Sequence, residues 1–345
     1  MKALVLEKKL DLSLREFEIE NQCDFDNVKI KINTVGICGS DIHYYEYGKI
    51  GNFVVREPMI LGHEGSGTVI EIGKNVRNLK VGDRVCVEPG IPNNNSKAYK
   101  MGMYNLDKDV KFWATTPVHG CLRPEVIMPS DFTFKLPNEV SFAEGAMIEP
   151  LAVGLQAVGK ANIKPGFIGL VLGCGPIGIV TALSAIAGGC SKVFVTDILD
   201  KKLQICEKYN GLIPIDITKN NLNEIISDET NGWGVDVLFE ASGATQAYDE
   251  IIHNICLGGT VVIIGMPVEK VSIDMSSFSI KEIKIETVFR YANQYEHALS
   301  LLSLKKIDVK PLISDTLPFK MSVEAFIRAA EHRPNDIKIQ INEIN

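Results

Sequence analysis

The stretch FIGLVLGCGPIG, residues 167–178, gives the clearest indication of fold in this chain of 345 residues. Phe167 to Leu172 form an apolar run of the length of a buried strand, which leads directly into a Gly-x-Gly-x-x-Gly pattern and an Ala-rich apolar stretch. A strand, a tight glycine turn and a helix in this order are typical of dinucleotide-binding units, where the helix N-terminus faces a pyrophosphate. The sequence therefore predicts a nucleotide-binding domain around this turn.

The strand after this unit predicts which dinucleotide binds. Residues 192–196 are rich in β-branched and aromatic side chains and end at Asp197. An acid at this distance from the glycine turn is placed to accept hydrogen bonds from the adenosine ribose hydroxyls. Its charge would repel a 2′-phosphate, so NAD is favoured over NADP. The alternative role for Asp197 is to cap the next helix.

Two different patterns divide the chain. Strand-like runs at 213–215, 235–240 and 259–267 alternate with helical stretches, and 283–289 resembles a last strand, which predicts a doubly wound parallel sheet. Earlier, short strand-like runs separated by Gly and Pro turns predict a β-rich, partly open barrel; they are residues 2–7, 12–19, 28–32 and 67–72, and 76–87 includes a turn that enters a further strand. The fold class is therefore α/β with a second, β-rich domain.

Three potential metal ligands lie in glycine-rich segments of the β-rich part. Cys38 is in Gly-Ile-Cys-Gly-Ser-Asp-Ile-His at 36–43, and His63 and Glu64 are in Leu-Gly-His-Glu-Gly-Ser-Gly at 61–67. A thiolate, an imidazole and a carboxylate suit zinc, and three protein ligands leave one position open for catalysis. Taken singly, Cys38 could be a small buried hydrophobe and His63 a hydrogen-bonded structural residue.

These segments carry a resemblance to a known family. Residues 62–76, GHEGSGTVIEIGKNV, resemble the zinc signature of the medium-chain alcohol dehydrogenases, and 43–55, HYYEYGKIGNFVV, resemble sorbitol and xylitol dehydrogenases. The resemblance extends over nearly the whole chain. It implies a GroES-like catalytic zinc domain at 1–152 and 291–345, and an NAD-binding Rossmann domain at 153–290.

The resemblance also implies roles for individual residues. Ser40 and His43 would relay the substrate proton, and Glu149 would hold the metal-bound water or bind the metal itself. The polyol would be contacted by Tyr44, Glu149, Arg290 and Tyr291. The cofactor would be contacted by Gly173, Gly175, Ile177, Gly178, Asp197, Lys202, Ile264, Gly265, Met266, Val288 and Phe289.

The loop at 92–107 departs from the family pattern. Many members carry a second, structural zinc here on four cysteines, but the matching positions in this chain are Asn93, Ser96, Tyr99 and Asp107. None of them is cysteine, so a four-cysteine zinc site cannot form. We therefore expect one catalytic zinc per subunit and no structural zinc.

Composition limits the partners. A net charge of −7 argues against nucleic acid or an anionic membrane surface as the main partner. Eight scattered cysteines suit a reducing compartment, and no apolar run approaches the roughly 18 residues of a membrane span. We expect a cytoplasmic protein, and the resemblance implies a homo-tetramer or a dimer.

The function implied by the resemblance is hydride transfer between NAD and a polyol of the sorbitol, xylitol or L-iditol type, which gives a ketose. Two alternatives remain. The substrate could be another secondary alcohol, such as L-idonate, L-threonine or a butanediol, or the chain could be an inactive nucleotide-binding protein.

Overall fold

The computed structural model describes residues 1–267 and 269–344. The chain divides into one unit of Met1–Glu149 with Tyr295–Asn345 and a second unit of Pro150–Gln294. The sequence pattern and the family resemblance predict these limits after residues 152 and 290. Among the described residues, no helix combines the length and the apolar character needed to cross a membrane.

The strands are numbered in chain order. They are β1 Lys2–Lys8, β2 Asp11–Glu16, β3 Asn27–Gly36, β4 Lys49–Ile50, β5 Phe53–Val54, β6 Met59–Ile60, β7 Glu64–Ile72, β8 Arg84–Val87, β9 Gly90–Ile91, β10 Lys111–Phe112, β11 Glu125–Pro129, β12 Thr133–Lys135, β13 Ile168–Leu172, β14 Lys192–Asp197, β15 Leu212–Asp216, β16 Val235–Glu240, β17 Ile255–Ile263, β18 Lys284–Thr287, β19 Ile313–Pro318 and β20 Lys338–Asn342.

The α-helices are α1 Gly39–Tyr47, α2 Lys97–Lys100, α3 Phe142–Ala146, α4 Ile148–Ala161, α5 Pro176–Ala187, α6 Asp200–Cys206, α7 Leu222–Glu229, α8 Ala247–Asn254, α9 Met275–Ile280, α10 Tyr295–Ser303 and α11 Ser322–Ala330. Short 3₁₀ turns lie at Tyr104–Leu106, Ser130–Phe132, Lys310–Leu312 and Phe319–Met321.

The first unit is built around β3. Its Val28, Ile30 and Ile32 are buried and alternate with more exposed lysines, as expected for a strand that covers a core on one face. The strand lies in a sheet of order β12-β8-β7-β3-β20-β19, and β11 also pairs with β3. The predicted β-rich domain is confirmed. Because β20 pairs with β3, the C-terminal segment belongs to the sheet that carries the candidate metal ligands.

The second unit is the predicted doubly wound parallel sheet. Its six strands have the order β15-β14-β13-β16-β17-β18, and each neighbouring pair is parallel. Phe194 and Leu170 on adjacent strands belong to one buried apolar cluster that also includes residues of α7 and α8. The fold class predicted from the sequence is confirmed.

One local expectation was wrong. The glycine-rich segment at 36–43 predicts a strand-to-loop junction at Cys38, but α1 begins there, because Asp41 at the third helical position accepts a hydrogen bond from the Cys38 N–H and forms a capping box. The pattern of residues 142–159 predicts helical structure, and the structure has two helices there, since Met147 ends α3 before α4 starts. Strand β19 was not anticipated.

Candidate metal and cofactor sites

Pairing between β3 and β7 brings the three candidate metal ligands together. Gly36 at the end of β3 lies opposite Glu64 at the start of β7, so Cys38 and His63 on the adjoining residues also approach each other. The ligand atoms of Cys38, His63 and Glu64 all lie within 4.8 Å of one another. His63 and Glu64 are buried, and Cys38 is half-buried. Sulfur, nitrogen and oxygen donors at this spacing fit one tetrahedral zinc with an open fourth position.

Asp41 supports two of these ligands from α1. Its Oδ1 lies 3.5 Å from Nδ1 of His63 and accepts a hydrogen bond from the Gly62 N–H, and its Oδ2 accepts one from the Cys38 N–H. A carboxylate at one imidazole nitrogen leaves the other free for a metal. Burial by itself lowers the pKa of His63, but Asp41 and Cys38 outweigh it and raise the pKa well above the ordinary value. Sequence reasoning missed Asp41, although its spacing from Cys38 is that of a capping box.

A buried lysine holds the third candidate ligand. Nζ of Lys338, the first residue of β20, lies 2.6 Å from Oε1 and 2.8 Å from Oε2 of Glu64. Burial by itself lowers the pKa of Lys338, whereas Glu64 and Cys38 raise it, and the net shift is upward. Sequence reasoning missed this pair because the two residues are 274 positions apart; the one available signal is a lysine directly before the alternating apolar residues Ile339 and Ile341.

The glycine turn of the second unit has the geometry that a dinucleotide needs. Gly173 has a φ of +102°, and a Cβ at Gly178 would lie 1.9 Å from the Gly173 carbonyl oxygen, so neither position accepts a side chain without a shift. A Cβ at Gly175 would meet no atom within 4 Å. This open side lies directly before Pro176, the first residue of α5, so a pyrophosphate can approach the helix N-terminus.

Asp197 ends β14 beside this turn, as the sequence predicts. Its Oδ2 accepts a hydrogen bond of 2.9 Å from the Cys174 N–H, and its Oδ1 accepts bonds from the N–H groups of Ile198 and Leu199. Asp197 and Gly173 also line a cavity of about 620 Å³ with Ser242. A cavity of this size, lined by an acid and by the glycine turn, fits the adenosine end of NAD.

The sequence matches two described families and many known proteins. Residues 24–138 match the alcohol dehydrogenase GroES-like domain, and 176–303 match the zinc-binding dehydrogenase domain. The chain is 53% identical to the D-xylulose reductase of Morganella morganii over 96% of this chain and 98% of that protein. It is 40% identical to human sorbitol dehydrogenase over 94% of this chain and 91% of that protein.

This chain belongs to the zinc-dependent medium-chain dehydrogenases of the sorbitol and xylitol dehydrogenase family. Its fold is shared by an Escherichia coli oxidoreductase of unknown specificity, with a TM-score of 0.94 and 32% identity over 99% of this chain and 98% of that one. Zinc and NAD are therefore the metal and cofactor that the family implies, and the two sites described above fit them.

The remaining family positions of the first unit lie close to Cys38 in the chain. Ser40 and His43 are one helical turn apart on α1, both half-buried, and the His43 ring packs 4.6 Å from the Tyr47 ring. Tyr44 on the same helix is buried. Glu149 at the start of α4 is also buried, and its charge raises the pKa of Lys338 and of Glu88.

The loop that carries a structural zinc in many family members is ordered here by side chains. Oδ2 of Asp107 accepts a 2.6 Å hydrogen bond from the Asn93 N–H, and Oδ1 accepts one from the Asp109 N–H. A hydrogen bond from Ser96 also helps to lower the pKa of Asp107. Three of the four positions that would hold zinc are thus joined through one carboxylate, while the fourth, Tyr99, is exposed.

The family's cofactor positions in the second unit follow the strands of the parallel sheet. Ile264, Gly265 and Met266 come directly after β17, where ligands bind in such sheets. A Cβ at Gly265 would lie 2.4 Å from Oε2 of the buried Glu240. Ile177 is half-buried in the first turn of α5, and Lys202 lies in α6.

The last cofactor positions of the family, Val288 and Phe289, and its substrate positions in this unit, Arg290 and Tyr291, follow β18. The Val288 N–H donates to the carbonyl of Ile263 at the end of β17. Arg290 has a positive φ of 56°, and its guanidinium lies 4.9 Å from the centre of the Phe289 ring. Tyr291 is buried. The contacts proposed for Phe289, Arg290 and Tyr291 stay predictions.

Proposed function

We propose that this chain is a zinc-dependent dehydrogenase that transfers a hydride between NAD and a polyol of the sorbitol, xylitol or L-iditol type, giving the ketose. One observation carries the proposal: Cys38, His63 and Glu64 present three different donor atoms within 4.8 Å of one another in a largely buried site. The names of the relatives, D-xylulose reductase and sorbitol dehydrogenase, support a polyol substrate.

The chain's own residues would have different roles in the reaction. Bound zinc would polarise the reacting oxygen of the substrate, and NAD would take the hydride. Ser40 would take up the hydroxyl proton of the substrate, and His43 would pass the proton on to water. Tyr44, Glu149, Arg290 and Tyr291 would bind the other hydroxyls of the polyol, and an alcohol without those hydroxyls would lose these contacts.

Asp197 supports NAD rather than NADP as the cofactor. The carboxylate lines the cavity next to the glycine turn, so its negative charge would lie where a 2′-phosphate would have to bind. Lys202 on the neighbouring helix α6 would assist in holding the ribose.

A single zinc per chain is supported by the loop around Asp107. Its carboxylate already binds the backbone N–H groups that fix the loop, so no metal is needed to order it. Metal analysis of purified protein tests this count, and two zinc ions per chain would contradict it.

The edge of the parallel sheet supports a homo-oligomer. Strand β18 lies at one end of the sheet among the described residues, and it exposes Ile285, while Phe289 after the strand and Ile280 before it are also exposed. An unprotected apolar edge favours pairing with a second copy. Light scattering should give a dimer or tetramer, and Ile285→Lys should weaken the association between subunits.

We also propose a cytoplasmic location, which the eight free cysteines support.

A panel of alcohols assayed with NAD and with NADP tests the function. We expect xylitol and sorbitol with NAD to give much the highest kcat/KM, well above ethanol, 2,3-butanediol, L-idonate and L-threonine. Ethanol equal to the polyols in kcat/KM would contradict the substrate class, and no NAD-dependent absorbance change with any alcohol would favour an inactive nucleotide-binding protein.

A further inference from the structure

Lys338 is the one cation in ion-pair contact with Glu64 among the described residues. The side chains of Lys338 and Glu64 are only 3% and 0% exposed, so water does not solvate either charge appreciably. The same ammonium donates a third hydrogen bond, 3.1 Å long, to the carbonyl oxygen of Ile37, the residue before Cys38. Lys338 therefore joins the segment that carries Cys38 to the segment that carries His63 and Glu64.

The charge of Glu64 that Lys338 must compensate depends on whether the metal is bound. A buried carboxylate is strongly destabilising unless a cation or hydrogen-bond donors compensate its charge. When zinc is bound, the ion supplies positive charge next to Glu64. When zinc is absent, that compensation must come from the protein, and the Lys338 ammonium lies within 3 Å of both carboxylate oxygens.

We propose that Lys338 is a positioning residue that holds Glu64 in its ligand position when the metal has left. The site is then preformed, so that zinc can be lost and regained without local unfolding. This inference rests on the metal site of the proposed function. It assigns to the C-terminal strand β20 a role in metal loading that none of the predicted ligands provides.

A positioning role for Lys338 can be distinguished by experiment from a purely structural ion pair with Glu64. If Lys338 and zinc compensate the same carboxylate, then removing the lysine should be costly in the metal-free protein and much less costly in the zinc-loaded protein. A structural ion pair that is independent of the metal would contribute equally to both forms.

The test compares thermal unfolding of wild type and Lys338→Met with bound zinc and after removal by a chelator. We expect the variant to lower the midpoint of the metal-free form by about 10 °C more than that of the zinc-loaded form. Lys338→Arg should restore most of the metal-free midpoint, because a guanidinium can pair with both carboxylate oxygens. Lys135→Met, which removes an exposed partner of Asp83, is the matched control and should show no dependence on zinc.

A second readout is the rate at which chelated protein takes up added zinc. Wild type should reload fully, and Lys338→Met should reload slowly or in part. Equal loss of stability with and without zinc, or a metal-free Lys338→Met that matches wild type, would overturn the proposal. If Lys338→Met does not fold at all, the double variant Glu64→Gln, Lys338→Met decides: recovery of folding supports an uncompensated charge as the cause, and continued failure overturns it.

The zinc content of wild type separates this inference from the proposed function. A wild type that binds no zinc contradicts the proposed function itself. A wild type that binds zinc, together with a Lys338→Met effect that does not depend on zinc, contradicts only the role given to Lys338.

Discussion

Gly36→Ala should remove the metal without unfolding the chain. A Cβ at residue 36 would lie 2.0 Å from Oε2 of Glu64, whereas ordinary contacts begin at 3.4 Å. The carboxylate oxygen must therefore move by about 1.4 Å, the difference between these distances. Metal–ligand distances tolerate about 0.2 Å, so the displaced Glu64 can no longer share a zinc ion with Cys38 and His63.

The size of the effect follows from what Glu64 contributes. Loss of a residue that hydrogen-bonds to a metal ligand typically lowers metal affinity 10- to 100-fold. Displacement of the ligand Glu64 itself should lower zinc affinity by at least as much. The carboxylate would also lose its optimal contact with Lys338, so a lower unfolding midpoint is expected for the metal-free protein. NAD binding should not change, because the glycine turn belongs to the second unit.

The assay is a competition titration with a chelating dye that reports zinc affinity, together with a fluorescence titration of NAD. Gly39→Ala is the matched control, because a Cβ there would meet no atom within 4 Å. If Gly36→Ala binds zinc as tightly as Gly39→Ala and wild type, the geometry of the candidate site has been misread and Glu64 is not a ligand.

Three further predictions concern other parts of the chain. Asp197→Ser should raise kcat/KM with NADP relative to NAD by at least about tenfold, since it removes a charge that repels the 2′-phosphate, and an unchanged ratio in steady-state assays would contradict this role. Burial and the nearby Glu149 raise the pKa of Glu88 to about 7 despite its hydrogen bond from Tyr104. Between about pH 4.5 and pH 7 the folded state therefore holds a proton on Glu88 that the unfolded state has released, so the free energy of unfolding falls as the pH rises through this range. The loss amounts to up to about 3 kcal/mol. Glu88→Gln should remove it, which urea titrations of both proteins at pH 5 and pH 8 would measure. Asp107→Ala should cost about 2 kcal/mol of stability, because it leaves the N–H groups of Asn93 and Asp109 unpaired. Substitution of the exposed Asp109 by Ala is the control and should hardly change stability. Equal urea midpoints for the two variants would refute the role of Asp107.

The elements that were correctly predicted are those with local signals. The apolar run before Gly173 and the strand that ends at Asp197 each need only a few neighbouring residues to be recognised, because strand periodicity and glycine turns are local properties. The same holds for Val28 to Ile32, whose alternation indicates a strand with one buried face. Helix α1 was missed because its start depends on a side-chain cap from Asp41 rather than on an apolar stripe.

The parts of the candidate site that could not be predicted depend on distant segments. Lys338 reaches Glu64 only because β20 pairs with β3, and no local pattern shows that pairing. Asp107 was read as a missing zinc ligand, and its role in binding the loop backbone appears only when Asn93 is brought next to it. The substrate roles of Arg290 and Tyr291 stay predictions.

Zinc content measured together with activity tests the central claim most directly. Purified protein should contain one zinc ion per chain, and a strong chelator should abolish NAD-dependent oxidation of xylitol while NAD still binds; added zinc should restore the activity. Metal-free protein that oxidises xylitol at the full rate would contradict the account.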